Sequence, residues 1–225
     1  MAQVFARMGF GVAYGPELED EFHNFDALRV PADHPARDMQ DTFWTKEEPS
    51  RVPRTHCTSV TARCLEAMAR EGRTEGCMIA AGKVFRNEAT DATHEAQFYQ
   101  LDCFAIAPVG MVSLAHLKGT FEYFFSAYFG PGSKVRFRPS FFPFVEPGVE
   151  LDVWYEAAGR EGRWLEVGGA GMLHPEVLRS CGLDPEKVAG FAFGCGIERL
   201  VMIKHGVPDV RGFHGGDIRF VHAFS

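Results

Sequence analysis

The chain has 225 residues, 46% of them hydrophobic and 24% charged, with a formal net charge of −7. These values fit one globular domain with a full core. The acidic balance excludes a general nucleic-acid coat, which needs clustered Lys and Arg to neutralise phosphate. No apolar run approaches the length of a membrane span. Met1 to Arg7 lacks a basic-then-apolar signal pattern, so the chain reads as cytoplasmic, with no membrane partner. The six cysteines contain no C-x-x-C pair, which points to free thiols and away from a zinc site.

In chain order, Phe10 to Leu18 reads as a short extended piece punctuated by Gly and Pro, and Glu19 to Leu28 as an acidic-capped helix. Pro31 to Arg37 is a loop. Val60 to Glu71 predicts a helix with Val60, Cys64, Leu65 and Met68 inward. Met78 to Arg86 and Phe98 to Ala107 predict two strands joined by the polar loop Asn87 to Gln97. Ser113 to Phe129 predicts a helix whose apolar face carries Leu114, Leu117, Phe121, Phe124, Phe125 and Tyr128, stopped by Gly130-Pro131-Gly132. Strand candidates follow at Lys134 to Arg138, Val149 to Tyr155, Trp164 to Val167 and Phe191 to Phe193, then a helix over Ile197 to His205. His174-Pro175 reads as a turn, and Asp209 to Phe220 as a structural close. Many strands between few helices predict an α+β fold: a mostly antiparallel sheet flanked by helices.

Two segments carry arginines in settings suited to a nucleoside triphosphate. In Gly194-Cys195-Gly196-Ile197-Glu198-Arg199-Leu200, the glycines permit close backbone approach to a flat ligand. Arg199 then projects from the first turn of a helix, where the free N–H groups and the macrodipole also favour an anion. Upstream, Phe85-Arg86-Asn87-Glu88 ends a strand. In isolation either arginine reads as a surface salt bridge; together, in this order, they read as a site.

These segments sit among others that resemble, almost end to end, the catalytic domain of phenylalanyl-tRNA synthetase α subunits, which are class II aminoacyl-tRNA synthetases. Gly9-Phe10 through Leu28 resembles the family's first, dimer-forming motif. His34 to Asp38 and Asp41-Thr42-Phe43-Trp44 follow in family order, then Arg54-Thr55-His56 with Thr58-Ser59. Val84 to Glu95 resembles motif 2, and Phe137-Arg138-Pro139 with Phe142 to Pro147 the segment lining the amino-acid pocket. Trp164 to Met172 precedes motif 3, which is Gly190 to Gly194 with Gly196 to Arg199. The implied fold is the class II core, read here as one catalytic domain over 1–225 without the N-terminal coiled coil of family α subunits.

The resemblance implies ATP-dependent activation of phenylalanine and its transfer to tRNA. The attacking carboxylate is already ionised at neutral pH, so the first step needs alignment and charge screening more than a general base. Arg86 and Arg199 are the implied catalytic arginines, with Glu88 and Gly196 completing the ATP site. His56, Thr58, Gln100, Asp102, Phe142, Phe144, Ala192 and Gly194 are the implied amino-acid pocket, with Asp102 facing the substrate ammonium. Glu146 is the implied Mg²⁺ ligand and Glu166 a second candidate. Implied partners are the amino acid, ATP, tRNA and a β subunit, in a homodimer or a hetero-oligomer.

The chain also departs from the family pattern. In the segment F-H-Q-x-E-G, Tyr99 replaces histidine, Asp102 glutamate and Cys103 glycine, and Gln40 stands where some bacterial members carry tryptophan. These changes bear on which amino acid is taken. The alternative reading is therefore a free-standing paralogue that adenylates another amino acid for a non-tRNA acceptor. A further alternative is a non-catalytic binding or regulatory module.

Overall fold

A computed structural model describes residues 1–38, 41–46, 48–155 and 161–224. Gln40 lies outside the described residues. The centre is a seven-stranded sheet of β1 (Gly11–Ala13), β4 (Gly76–Phe85), β5 (Gln97–Pro108), β6 (Val135–Pro139), β7 (Val145–Tyr155), β8 (Arg163–Leu173) and β9 (Val188–Gly196), in the order β1-β4-β5-β9-β8-β7-β6. Every pairing is antiparallel except β1 with β4. A separate pair joins β2 (Leu18–Glu19) to β3 (Val52–Pro53).

Side-chain alternation divides the sheet into two working faces. Leu101, Cys103, Leu151, Val153, Phe191, Phe193 and Cys195 point to one face. There they meet Leu117, Phe121, Phe124 and Phe125 of α4 (Leu114–Phe129), which recur at helical spacing and are fully buried. The short N-terminal α1 (Ala2–Arg7) inserts Phe5 beside Phe124 and Phe193, with ring centroids 4.8 and 5.7 Å away. On the opposite face, Phe104, Ile106 and Ala192 pack with Leu65 and Met68 of α3 (Thr58–Arg70) and with Val177 and Leu178 of α5 (Pro175–Ser180). Toward the other end this second face is open, and there the site forms.

Several elements differ from the sequence expectation. The helix expected over 19–28 is only α2 (Glu21–Asn24), capped by the Asp20 side chain on the His23 N–H, followed by a 3₁₀ turn at 26–28. Phe25 leaves helical geometry (φ −137°, ψ −59°) and Arg29 takes a left-handed φ of 60°. His174-Pro175 starts α5 where a turn was expected: the His174 ring accepts from the Glu176 N–H, and Pro175 fills the first turn, where its missing N–H costs nothing. Strand β8 continues through Gly168-Gly169-Ala170-Gly171, a run whose composition disfavours strand. Close packing explains it, because a side chain at Gly168 would collide with the Gly194 carbonyl of β9. Among the described residues, no helix is long and apolar enough to cross a membrane.

Candidate active site

Two adjoining cavities open on the second face of the sheet. The larger, about 390 Å³, is floored by Gln100 and Asp102 of β5, Ala192, Gly194 and Gly196 of β9, and Gly168 and Gly169 of β8. The strand register places these together, since Asp102 pairs with Gly194, Gln100 with Gly196 and Gly169 with Gly194. Glycine is required at the floor. A Cβ on Gly194 would lie 2.8 Å from the Asp102 Oδ1 and 3.0 Å from the Gln100 Nε2, and one on Gly169 would lie 2.6 Å from the Phe142 ring. Phe142 and Phe144 form one wall, their rings nearly parallel with centroids 6.0 Å apart. His56 and Thr58, at the start of α3, face them.

The polar end of this cavity holds unmet hydrogen-bonding capacity. Thr58 Oγ1 donates to the Asp102 Oδ2 at 2.6 Å, while the Asp102 Oδ1 is buried without a partner. Burial drives the Asp102 carboxyl up to about 7, against the pull of Thr58, Arg54 and Arg86. Burial, assisted by the Arg86 charge, drives His56 down to about 4, so its imidazole is neutral at pH 7. Its Nδ1 is likewise buried and unpartnered. The Cys57 backbone N–H donates to the Gln100 Oε1 at 3.2 Å, which leaves the Gln100 amide nitrogen turned toward the cavity floor. An acceptor without a donor inside an otherwise closed floor calls for a ligand that brings N–H groups.

The second cavity, about 290 Å³, lies between the loop after β4 and α6 (Ile197–His205). Arg86, Glu88, Gly196 and Arg199 line it, and Arg86, Phe98, Glu166, Gly168 and Gly196 are shared with the first cavity. Arg86 is held by its Nε donating to the Thr55 carbonyl at 3.3 Å and by its guanidinium lying 5.1 Å over the Phe98 ring. It touches Glu88 only loosely, at 3.8 Å. Arg199 donates from Nε to the Glu166 carbonyl at 3.3 Å, and burial and the Arg163 charge lower its pKa. Among the described residues, the terminal nitrogens of Arg199 have no hydrogen-bond partner and those of Arg86 only the loose Glu88 contact.

Of the residues singled out in the sequence, His56, Thr58, Gln100, Asp102, Phe142, Phe144, Ala192 and Gly194 line the first cavity, and Glu88 and Arg199 the second. Glu146 lines neither: it is exposed at the start of β7, where its charge acts on His174. Glu166 lines both cavities, and burial and the neighbouring Glu150 raise its carboxyl pKa. Of the three sequence departures within 99–103, two do not line the pocket. Cys103 points into the α4 core, and Tyr99 lies on that same side of β5, 37% exposed. Only Asp102 faces the ligand space.

Sequence reasoning assigned no role to Glu198, Phe98 or Arg54. Both Glu198 carboxylate oxygens accept from the Tyr99 N–H, at 2.8 and 2.9 Å, which ties β5 to the first turn of α6 beside Arg199. The buried Arg54 donates to the Lys83 carbonyl at 2.7 Å and lies over Gly82, where any side chain would strike its guanidinium. Its charge acts on both His56 and Asp102. The acidic second position of α6 was a usable signal for Glu198. The other two depend on strand register.

Residues 1–224 match the family model described as tRNA synthetases class II core domain (F). The chain belongs to that family. Class II relatives include a phenylalanine–tRNA ligase alpha subunit from Xanthomonas campestris pv. campestris (strain B100), 45% identical over 100% of this chain and 66% of its own length. Another, from Leifsonia xyli subsp. xyli, is 47% identical over 100% of this chain and 64% of its own length. The chain thus spans somewhat less than two thirds of the curated relatives it matches. Among solved structures, the Desulfitobacterium hafniense PylSc, a pyrrolysyl tRNA synthetase, shares the class II fold with a TM-score of 0.69 at 17% identity, over 94% of this chain and 68% of that one.

Proposed function

We propose that this chain is the catalytic part of a phenylalanine–tRNA ligase α subunit: it joins phenylalanine to ATP as the aminoacyl-adenylate and passes the acyl group to tRNA. One observation carries the reading. Arg86 lies at the seam between an aromatic-walled cavity, where one oxygen of the buried Asp102 carboxylate has no partner, and a second cavity lined by Arg199 and Glu88.

In the first cavity, the substrate ammonium donates to the Asp102 Oδ1, the Gln100 amide nitrogen faces the polar end, and the ring lies between Phe142, Phe144 and Ala192. The substrate carboxylate then reaches Arg86. In the second cavity, ATP places its α-phosphate at the same guanidinium and its far phosphates at Arg199, with Glu88 reading the adenine edge. The carboxylate oxygen bonds to the α-phosphorus, and pyrophosphate leaves with the electron pair of the broken P–O bond. Planar guanidiniums suit this task, because they pair with phosphate oxygens and stay charged.

Glu166 is the residue we assign to Mg²⁺. Mg²⁺ uses one or two carboxylates together with substrate phosphates, and Glu166 is the glutamate that lines both cavities. When bound there it neutralises phosphate charge. Glu150 stands behind Glu166 but is held by Ser140, at 2.9 Å, and Arg138, at 2.6 Å. The three-ligand cluster among the described residues, Glu19, Asp20 and His23, lines neither cavity and has Arg63 paired to Glu19 and Asp20. A β subunit and tRNA are the proposed partners, supported by the alpha-subunit relatives.

Pyrophosphate exchange across a panel of amino acids, with and without a β subunit, tests the reading. Phenylalanine-dependent exchange is expected. Exchange with a different amino acid alone would install the paralogue reading, and exchange with none would leave a binding module.

A further inference from the structure

Strand β9 ends at Gly196, opposite Gln100 of β5, and the chain turns there into α6. The neighbouring residue of β5, Tyr99, therefore has no strand residue across from it on that side. Its N–H donates instead to both carboxylate oxygens of Glu198, at 2.8 and 2.9 Å. A side chain from the first turn of a helix thus takes the place of the strand carbonyl that would have come next. Glu198 is buried, and His214, just after the 3₁₀ turn Val210–Phe213, approaches the same carboxylate at 3.5 Å. The Val210 N–H donates to the Ala92 carbonyl at 3.0 Å, which links that turn to the loop after β4.

Both ends of this contact reach the cavities. Phe98 and Gln100 flank Tyr99 on β5: the Arg86 guanidinium lies over the Phe98 ring, and Gln100 floors the first cavity. Arg199 follows Glu198 on α6 and lines the second cavity. One carboxylate therefore joins the strand that supports Arg86 to the helix that carries Arg199. The local electrostatics agree. A cation in the first turn of a helix opposes the macrodipole, whereas an anion there is favoured. Arg199 thus stands where helix stability disfavours it, and Glu198 where helix stability favours it. Among the described residues the two form no ion pair with each other. The Glu198 oxygens are taken by Tyr99 and His214, so the Arg199 charge is left for an anion.

We propose that Glu198 is a positioning residue for adenylate formation: by holding α6 against β5 at Tyr99, it sets Arg199 at the separation from Arg86 that one triphosphate requires. The proposal rests on the adenylate-forming reading above and adds the group that keeps its two arginines in register. Glu198 acts through Arg199 and not on a reactant. In-line displacement tolerates little misplacement, since a shift of about 1 Å can cost on the order of a hundredfold in rate. The Tyr99 side chain takes no part, because the contact is made by its backbone N–H.

The test uses the complete α–β enzyme with two variants. Glu198→Gln keeps the reach and an accepting oxygen but loses the charge; Glu198→Asp keeps the charge but is one methylene shorter. In pyrophosphate exchange, Glu198→Gln should stay within about fivefold of wild type in kcat/KM for ATP, and Glu198→Asp should lose more than about twentyfold. The phenylalanine Kd, measured without ATP, should stay within about twofold of wild type in both. Adding Arg199→Ala to Glu198→Asp should cost less than about tenfold, far below its cost in the wild type, because a misplaced Arg199 has little left to lose. Glu198→Gln slowed more than about tenfold would overturn the proposal, since the charge and not the reach would then matter. So would Glu198→Asp near the wild-type value, losses that multiply in the double variant, or phenylalanine binding weakened in parallel, which marks a general loosening of the sheet. Should the wild type show no phenylalanine-dependent exchange, the adenylate-forming reading falls. ATP affinity by equilibrium dialysis then still decides for Glu198, and an equal Kd in wild type and Glu198→Asp would overturn its role.

Discussion

At the scale of single residues, the cavity holds two groups displaced in opposite directions by the same burial. The Asp102 carboxyl stands near 7 against an ordinary 3.8, so between about pH 4 and 7 the folded state holds a proton that the unfolded state has lost. Stability therefore falls as pH rises through that window, by on the order of 4 kcal/mol for a shift of this size. Asp102→Asn removes that cost. Its unliganded melting temperature should exceed that of wild type at pH 8 and converge with it near pH 4, while its KM for phenylalanine rises at least tenfold. Equal melting curves at pH 8 would show that the carboxylate is solvated. His56 runs the other way. Its folded pKa is about 4 against 6.5, so the stability of its neutral form is present above 6.5 and lost as pH falls toward 4. Arg199→Ala should slow pyrophosphate exchange more than a hundredfold, since one charge-assisted contact at a transferring phosphate is worth roughly 3 kcal/mol. Exchange near the wild-type rate would take Arg199 out of the site.

At the scale of elements, the glycines of β8 distinguish backbone from side-chain constraint. A Cβ at Gly168 meets the carbonyl of Gly194 on the neighbouring strand, whereas one at Gly169 meets the Phe142 ring, at 2.6 Å. Gly168→Ala should therefore lower the melting temperature more than Gly169→Ala, which should act mainly on KM by pushing the ring into the pocket. The reverse order in differential scanning calorimetry would mean that β8 and β9 yield more readily than an aromatic wall. These same glycines limited what the sequence disclosed. The periodic elements were legible: α4, β5 and α6 announce themselves through apolar spacing and stop signals. The end of β8 was not, because Gly-Gly-Ala-Gly carries no strand propensity and becomes a strand only through what lies against it. α2 fell short of the expected helix because Phe25 turns out of helical geometry to enter the second core. The cavity-lining residues were legible as ordered motifs. The sidedness of Tyr99 and Cys103, and the coupling of Glu198 to Tyr99, needed the register of β5.

At the scale of the whole molecule, an acidic chain sets its cavity arginines among carboxylates at one seam. The net charge is −7, yet Arg86, Arg199 and the buried Arg54 converge around the cavities. A ligand that supplies both an ammonium for Asp102 and a carboxylate for Arg86 should stabilise the fold as a unit. At 100 times its Kd, phenylalanine should add about 2.7 kcal/mol. For a chain of this size that corresponds to a rise of roughly 5–10 °C in Tm. Thermal scanning at pH 8 should show the rise in wild type and a much smaller one in Asp102→Asn. No rise in wild type would count against amino-acid binding in the aromatic cavity. The alternation along β5 has a further consequence. Gln100 and Asp102 line the cavity while Leu101 and Cys103 pack against the helix behind the sheet. Substrate choice and mechanical soundness are thus written on opposite sides of one ribbon, and mutation can revise either without rewriting the other.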